Sequence, residues 1–308
     1  MTPTIVILTL AILGQAEKPP SKPAASDNAV YQLLRDKGVS LGIAHISFPG
    51  PLLTEDLTIE AEQKALLSLT GDHRAAALAE LTRNSISAPF ILKLRDEKAG
   101  DKGIVRVVDL WFVIHAELDE VEPAKAAAAS QTIEAGNMRF TSARLDESPL
   151  RSNGIPPPKD NQAWHVRMTG RLLDRIQLEA TDQVVVSRTP SSWLIASRTD
   201  PRFDSSQDSP NRWYPLLRKG TSEEAGKPEP YPGGASYVKI ARLTSVSGAL
   251  LVEGHFAFYE PKSWFDGAPI LRSKIGVVAQ DRIRELRRDL AKSHKAKPQP
   301  STPGTESR

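Results

Sequence analysis

Cysteine is missing altogether from these 308 residues. That removes disulfides, thiol nucleophiles and thiolate metal sites, and leaves stability to the core alone. Runs of apolar residues are short: Ile5 to Leu13 is the longest, well under the ~20 residues that span a bilayer. No single-sign charge field exists either. The formal charge is +3, but the stretch from Arg287 onward holds Arg287, Arg288, Lys292, Lys295, Lys297 and Arg308 against Asp289 and Glu306. That local +4 leaves the rest near −1, which is not the footprint of a nucleic-acid-binding domain. Glycine-rich phosphate loops are absent, since Pro232-Gly-Gly234 leads into a strand and not a helix, so no nucleotide or dinucleotide cofactor is implied. The six histidines (His45, His73, His115, His165, His255, His294) include no pair at metal-ligand spacing.

What is present begins with a leader pattern. The apolar run Ile5 to Leu13 is followed by the small residues Gly14-Gln15-Ala16 and then by Glu17-Lys-Pro-Pro20. This reads as a signal peptide cleaved near Ala16, though with no Lys or Arg before the run, and predicts an exported protein, periplasmic or extracellular. Residues 17–27 read as a disordered linker and 294–308 as a disordered basic tail. A single α+β domain is expected over 28–293, with a possible break at the Pro156-Pro-Pro158 stretch in 148–162.

Within that domain a short helix over Ala29 to Asp36 stops at Gly38, and Leu41 to Phe48 reads as one strand. A helical region from Thr54 to about Arg83 breaks at Gly71-Asp72. Strands follow at Phe90–Arg95, Ile104–Ile114, Met138–Leu145, Trp164–Ile176, Gln183–Arg188 and Ser192–Ser197, with an Ala-rich helical piece over Pro123 to Gln131. The chain is organised around Ala235 to Lys292. In its second strand Leu250, Val252, Phe256 and Phe258 share one face, and Glu253, His255 and Tyr259 the other. A period of two predicts a half-buried antiparallel strand. From Ile275 to Lys292, Ala279, Ile283, Leu286 and Leu290 recur at helical spacing opposite Arg282, Glu285, Arg288 and Asp289, an amphipathic helix that should lie across the sheet. The predicted fold class is α+β: a curved antiparallel sheet packed against a long C-terminal helix, with an N-terminal helical segment.

Chemistry is harder to find. Gly38-Val-Ser-Leu-Gly42 matches a serine-hydrolase elbow, but a helical segment precedes it and a strand follows, the reverse of the required context. Gly38 is better read as a helix C-cap. Asp200, Asp204 and Asp208 sit four residues apart in an oxygen-rich loop of the kind calcium favours, but Arg202 and Arg212 stand ready to pin it, and no metal site is assigned. His165 and His255 lie on strands and, with His115, could be joined by Asp109, Glu117 or Glu253. The aromatic residues Trp193, Trp213, Trp264 and Phe265, with His255, form the candidate ligand-binding set. They either seal the edges of the core or line a hydrophobic cavity between sheet and helix.

The layout of Tyr237 to Leu290, with paired long strands, the loop Pro261-Lys-Ser-Trp-Phe-Asp-Gly267 and a closing helix, resembles the C-terminal half of START-like helix-grip domains. That resemblance implies a lipid-binding cavity. Ser197-Arg-Thr-Asp-Pro-Arg-Phe203, Asn211-Arg-Trp-Tyr-Pro215 and Trp264 to Lys274 are similar to motifs of an uncharacterised family of exported bacterial proteins, which implies no known activity. The leading expectation is a non-enzymatic binding module for a lipid-like or other apolar ligand or an envelope partner. The alternatives are a hydrolase with a spatially assembled His/Asp/Glu site and a purely structural protein.

Overall fold

The computed structural model describes residues 28–71, 75–121, 130–157, 162–220 and 222–296. The expected leader and linker, most of the Ala-rich piece after Pro123 and the tail beyond residue 296 lie outside them. The fold is α+β, built on one open antiparallel sheet of 12 strands. Its main path runs through β3 (Phe90–Lys98), β4 (Gly103–His115), β14 (Ala249–Pro261), β13 (Gly234–Arg242), β9 (Ser192–Thr199), β8 (Ile176–Arg188), β7 (Ala163–Leu172), β6 (Met138–Arg144) and β5 (Gln131–Ala135), in that order. β10 (Arg212–Lys219) pairs with the first half of β8 and carries β11 (Ser222–Ala225) and β12 (Glu229–Pro230).

The register sorts side chains onto two faces, because neighbours along a strand alternate. Pairings such as Val252 with Phe112 and Ile240 with Trp193 place apolar residues on one face. The C-terminal helix α5 (Ile270–Ala296) covers that face with Leu271, Ile275, Val278, Ile283 and Leu290. The helix holds elements at both ends of the sheet. Arg287 donates from Nε and Nη2 to the carbonyl of Val113 on β4 at 3.0 and 2.9 Å, and Arg282 donates to the carbonyl of Glu134 on β5. β4 and β5 stand near opposite ends of the strand order, so the sheet curves around the helix.

The helix is longer than its periodicity suggests, and Arg287 is not part of a solvated tail. Its guanidinium is buried against the carbonyls of Val113, Ala88 and Pro89. Burial and, secondly, the charge of Arg83 pull its pKa down to about 10. Ile283 is fully buried, whereas Leu286 is only partly buried. Leu286→Ala should therefore cost about 1–2 kcal/mol, below the ~2–5 kcal/mol of a fully buried truncation. A urea titration showing a loss of the full-burial size would mean that Leu286 lies deeper than this.

The opposite face was expected to meet solvent, and this is the main departure from the sequence pattern. Every residue of β14 is buried, because the N-terminal segment folds back over the polar face. That cover consists of α1 (Ala29–Asp36), the hairpin β1 (Val39–Leu41) and β2 (Ala44–Ile46), the strap 49–53, α2 (Ile59–Thr70) and α3 (Ala75–Leu81). Leu41 to Phe48 is thus a hairpin and not one strand. Asn28 fastens the start: its Oδ1 accepts from Tyr31 N at 2.9 Å, capping α1, while its Nδ2 donates to Val185 O at 2.9 Å and Leu194 O at 3.3 Å. Buried Glu62 fastens α2 by accepting from Thr244 N and Ser245 N at 2.8 and 2.9 Å. The break at Gly71 lies where expected, with a left-handed φ of 67° closing α2.

Two further differences have local causes. Trp164 to Ile176 holds a hairpin turn at Leu173-Asp174, both at positive φ (50° and 54°), in place of a continuous strand. The stretch 148–162 contributes α4 (Glu147–Ser152), whose Leu150 packs with Ile155 and Phe203, while β6 and β7 on either side pair directly.

Candidate functional site

Two places gather polar groups on the covered face. The first is a row on β4, β13 and β14. His255 sits between two carboxylates, with Nδ1 2.6 Å from Asp109 Oδ1 and Nε2 2.9 Å from Glu253 Oε1. Glu253 also accepts from Leu52 N at 3.0 and 2.8 Å and from Trp111 Nε1 at 3.1 Å. Tyr237, tilted 33° against the His255 ring at 4.7 Å, donates to Pro49 O at 2.8 Å, and Lys239 Nζ donates to Leu53 O at 2.8 Å. Three neighbouring side chains thus satisfy the backbone of one strap, 49–53.

The electrostatics fit a clasp. Burial pulls the His255 pKa down, but its hydrogen bonds to Asp109 and Glu253, and their charges, outweigh this and raise it overall. Burial raises the Tyr237 phenol, and burial lowers the Lys239 ammonium. Both imidazole nitrogens of His255 face carboxylate oxygens, and the residue is 2% exposed. No ring nitrogen remains to take a proton from a substrate, so the cluster holds the strap and is not arranged as a general base.

The other residues proposed for an assembled site do not join it. His115 bonds Thr82 O at 2.9 Å, and Glu117 lies near Arg242 at 3.5 Å. His165 pairs with buried Asp200 at 2.9 Å. Burial would raise the Asp200 carboxyl, but hydrogen bonds from His165 and Arg202 hold it well below the usual range. The loop after β9 is pinned by Arg202 as expected, whereas Arg212 turns to Glu179 at 2.9 Å. Asp204 is held by Asn211 Nδ2 at 2.7 Å.

The five candidate ligand-binding residues are all buried, and they occupy three places. Trp213, Trp264 and Phe265 form one aromatic cluster with Tyr231, with centroids 6.0 Å apart for Trp213–Trp264 and for Tyr231–Trp264 and 6.4 Å apart for Trp264–Phe265. Trp193 lies elsewhere, its Nε1 donating to Leu118 O at 3.1 Å. His255 is on the opposite face of the sheet from Trp193, as the register requires. The sheet therefore does not bring the five to one rim.

The second place is a cavity of about 210 Å³ where the N-terminal cover meets the ends of β9 and β13. Its walls are Leu33 from α1, Gly38, Val39, Ser40 and Leu41 from the first hairpin, Arg198 and Thr199 from β9, Pro201 and Asp204 from the following loop, and Pro232 and Gly234 before β13. Gly38, at φ +69°, allows α1 to turn directly into β1, where an added Cβ would lie 2.6 Å from Ile46 O. Gly233, at φ +99°, lets the loop pass against Thr199, where a Cβ would come within 2.6 Å. Arg198 is half-buried and makes no side-chain hydrogen bond or ion pair among the described residues, and its Nε is buried without a partner. Arg106 is matched by Glu260 and Asp96, and Arg167 and Arg212 by Glu179, while half-buried Arg144 has, among the described residues, only the ring of Trp164, 5.6 Å away.

No family model matches this chain, and neither does any curated protein.

The cavity was not anticipated as a site. Two stretches carried a signal nonetheless. Gly38-Val-Ser-Leu-Gly42 and Ser197 to Phe203 both stood out as motifs, and between them they supply seven of the residues lining it: Gly38, Val39, Ser40, Leu41, Arg198, Thr199 and Pro201. They are 160 positions apart (198 against 38), so nothing local joins them.

Proposed function

We propose that this is an exported, non-enzymatic binding module whose ligand, apolar over most of its surface, occupies the cavity between the first hairpin and the end of β9. The observation that carries this reading is the cavity itself: about 210 Å³, lined by the apolar Leu33, Val39, Leu41, Pro201 and Pro232 together with the polar Ser40, Arg198, Thr199 and Asp204. It opens to solvent past the exposed Ser40, Pro201, Asp204 and Pro232, the concave form that small-ligand sites take. A cavity of ~150 Å³ already accepts a benzene-sized guest. The export part rests on the Ile5–Ala16 leader pattern. The clasp of Tyr237, Lys239 and Glu253 supports the same reading, because it fixes the N-terminal cover that forms one wall of the cavity.

The test is a calorimetric and thermal-shift screen of the full chain against small apolar and amphipathic compounds, repeated with Val39→Phe. Ligand bound at a hundredfold its dissociation constant should stabilise the fold by about 2.7 kcal/mol. Val39→Phe, which fills the cavity from the β1 wall, should abolish the shift while the protein still melts cooperatively. A panel with no saturable binder, or binding unchanged in Val39→Phe, would defeat the proposal.

A further inference from the structure

We infer that the cavity selects a small monocarboxylate, with Arg198 receiving the carboxylate and the apolar wall receiving the body of the molecule; this rests on the binding reading above and names its ligand class. A guanidinium carries five donors in a planar fork and has no neutral form to retreat to, so a donor of it that is shut off from water calls for an acceptor. Arg198 lacks them: its Nε is buried with no partner, and no carboxylate lies within ion-pair distance among the described residues. Leaving a buried donor unmet is costly, more so for a charged group. The same residue lines the pocket of about 210 Å³. A carboxylate there would make the two parallel N–H···O bonds that the fork geometry favours.

The rest of the lining sets the charge and size of the guest. Among the described residues lining the cavity, Asp204 is the only other ionisable side chain, and Asn211 Nδ2 holds its Oδ1 at 2.7 Å. One cation and one anion in the wall suit a monoanion better than a phosphate dianion, which Asp204 would repel. Leu33, Val39, Leu41, Pro201 and Pro232 offer apolar contact to the body of the guest, beside the hydroxyls of Ser40 and Thr199, the latter already donating to Asp182. The volume admits a body of about six to ten non-hydrogen atoms, judged against the benzene guest of a ~150 Å³ cavity.

The experiment is calorimetric titration of the full chain with benzoate and hexanoate, their neutral isosteres benzamide and hexanamide, and phenyl phosphate. The acids should bind saturably and at least about tenfold more tightly than the amides, the scale of hydrogen bonds to a charged group. In Arg198→Gln this preference should vanish, so that acid and amide bind alike. Arg198→Lys keeps the charge without the fork and should retain part of it, which also covers the case in which Arg198→Gln does not fold. If acids and amides bind the parent equally, and Val39→Phe blocks both, the cavity binds ligands but the carboxylate assignment is overturned. A preference for phenyl phosphate over benzoate also overturns it. Absence of binding by all five probes overturns this inference, and the binding reading is then decided by the wider panel.

Discussion

Glu253→Ala is expected to destabilise the fold by about 3–5 kcal/mol, the cost of removing one partner from a buried charged cluster. The carboxylate is 2% exposed and accepts from the backbone of Leu52, the indole of Trp111 and the ring of His255. Its loss leaves those three donors facing a void, and the strap loses one of its three fastenings. Glu253→Gln, which keeps the shape and one acceptor, should cost less. The effect also carries a pH signature. The folded-state pKa of His255 is raised, so its contribution is complete below the unfolded value of about 6.5 and fades as pH rises through the folded value. The gap between parent and Glu253→Ala in urea unfolding should therefore narrow toward alkaline pH. A loss below about 1 kcal/mol at pH 6 would show that the strap is held by something other than this carboxylate.

That cluster also shows where reading the chain from its sequence stopped. The alternation of Leu250, Val252, Phe256 and Phe258 against Glu253 and His255 assigned the two faces of β14 correctly. It then suggested a solvated polar face, because period two reports which residues share a face and not what covers it. The cover comes from Leu52, 201 positions away from Glu253, and its own side chains carry no periodic mark of docking. The C-terminal helix was legible from Ala279, Ile283 and Leu290, which repeat at helical spacing and are buried. The turn inside Trp164 to Ile176 was not, since Leu173 and Asp174 adopt positive φ without the glycine that usually announces it. Arg198 stood inside a motif, but its role was not legible: an arginine beside Ser197 and Thr199 looks like a surface residue until the first hairpin is placed over it.

Asp182→Asn should raise stability at neutral pH by roughly 3 kcal/mol. Asp182 is 2% exposed on β8, where burial raises its pKa to about 6 from 3.8; the hydrogen bond from Thr199 opposes that rise and the charge of Asp200 adds to it. Thr199 Oγ1, 2.8 Å away, donates to its Oδ1, and no cation among the described residues pairs with it. A carboxyl with a raised folded pKa binds its proton more tightly in the native state, so the linkage runs opposite to that of a salt-bridged aspartate. Its ionisation costs nothing below pH 3.8, when both states are protonated. The cost grows between 3.8 and about 6 and is complete above that, where it is on the order of 3 kcal/mol. Asparagine keeps the carbonyl oxygen that Thr199 bonds and removes the charge. Thermal melts at pH 8 should show the variant clearly above the parent, and the two should converge as pH falls below about 4. Equal melting temperatures at pH 8, or a gap that does not close in acid, would mean that Asp182 is not held ionised in an uncompensated site.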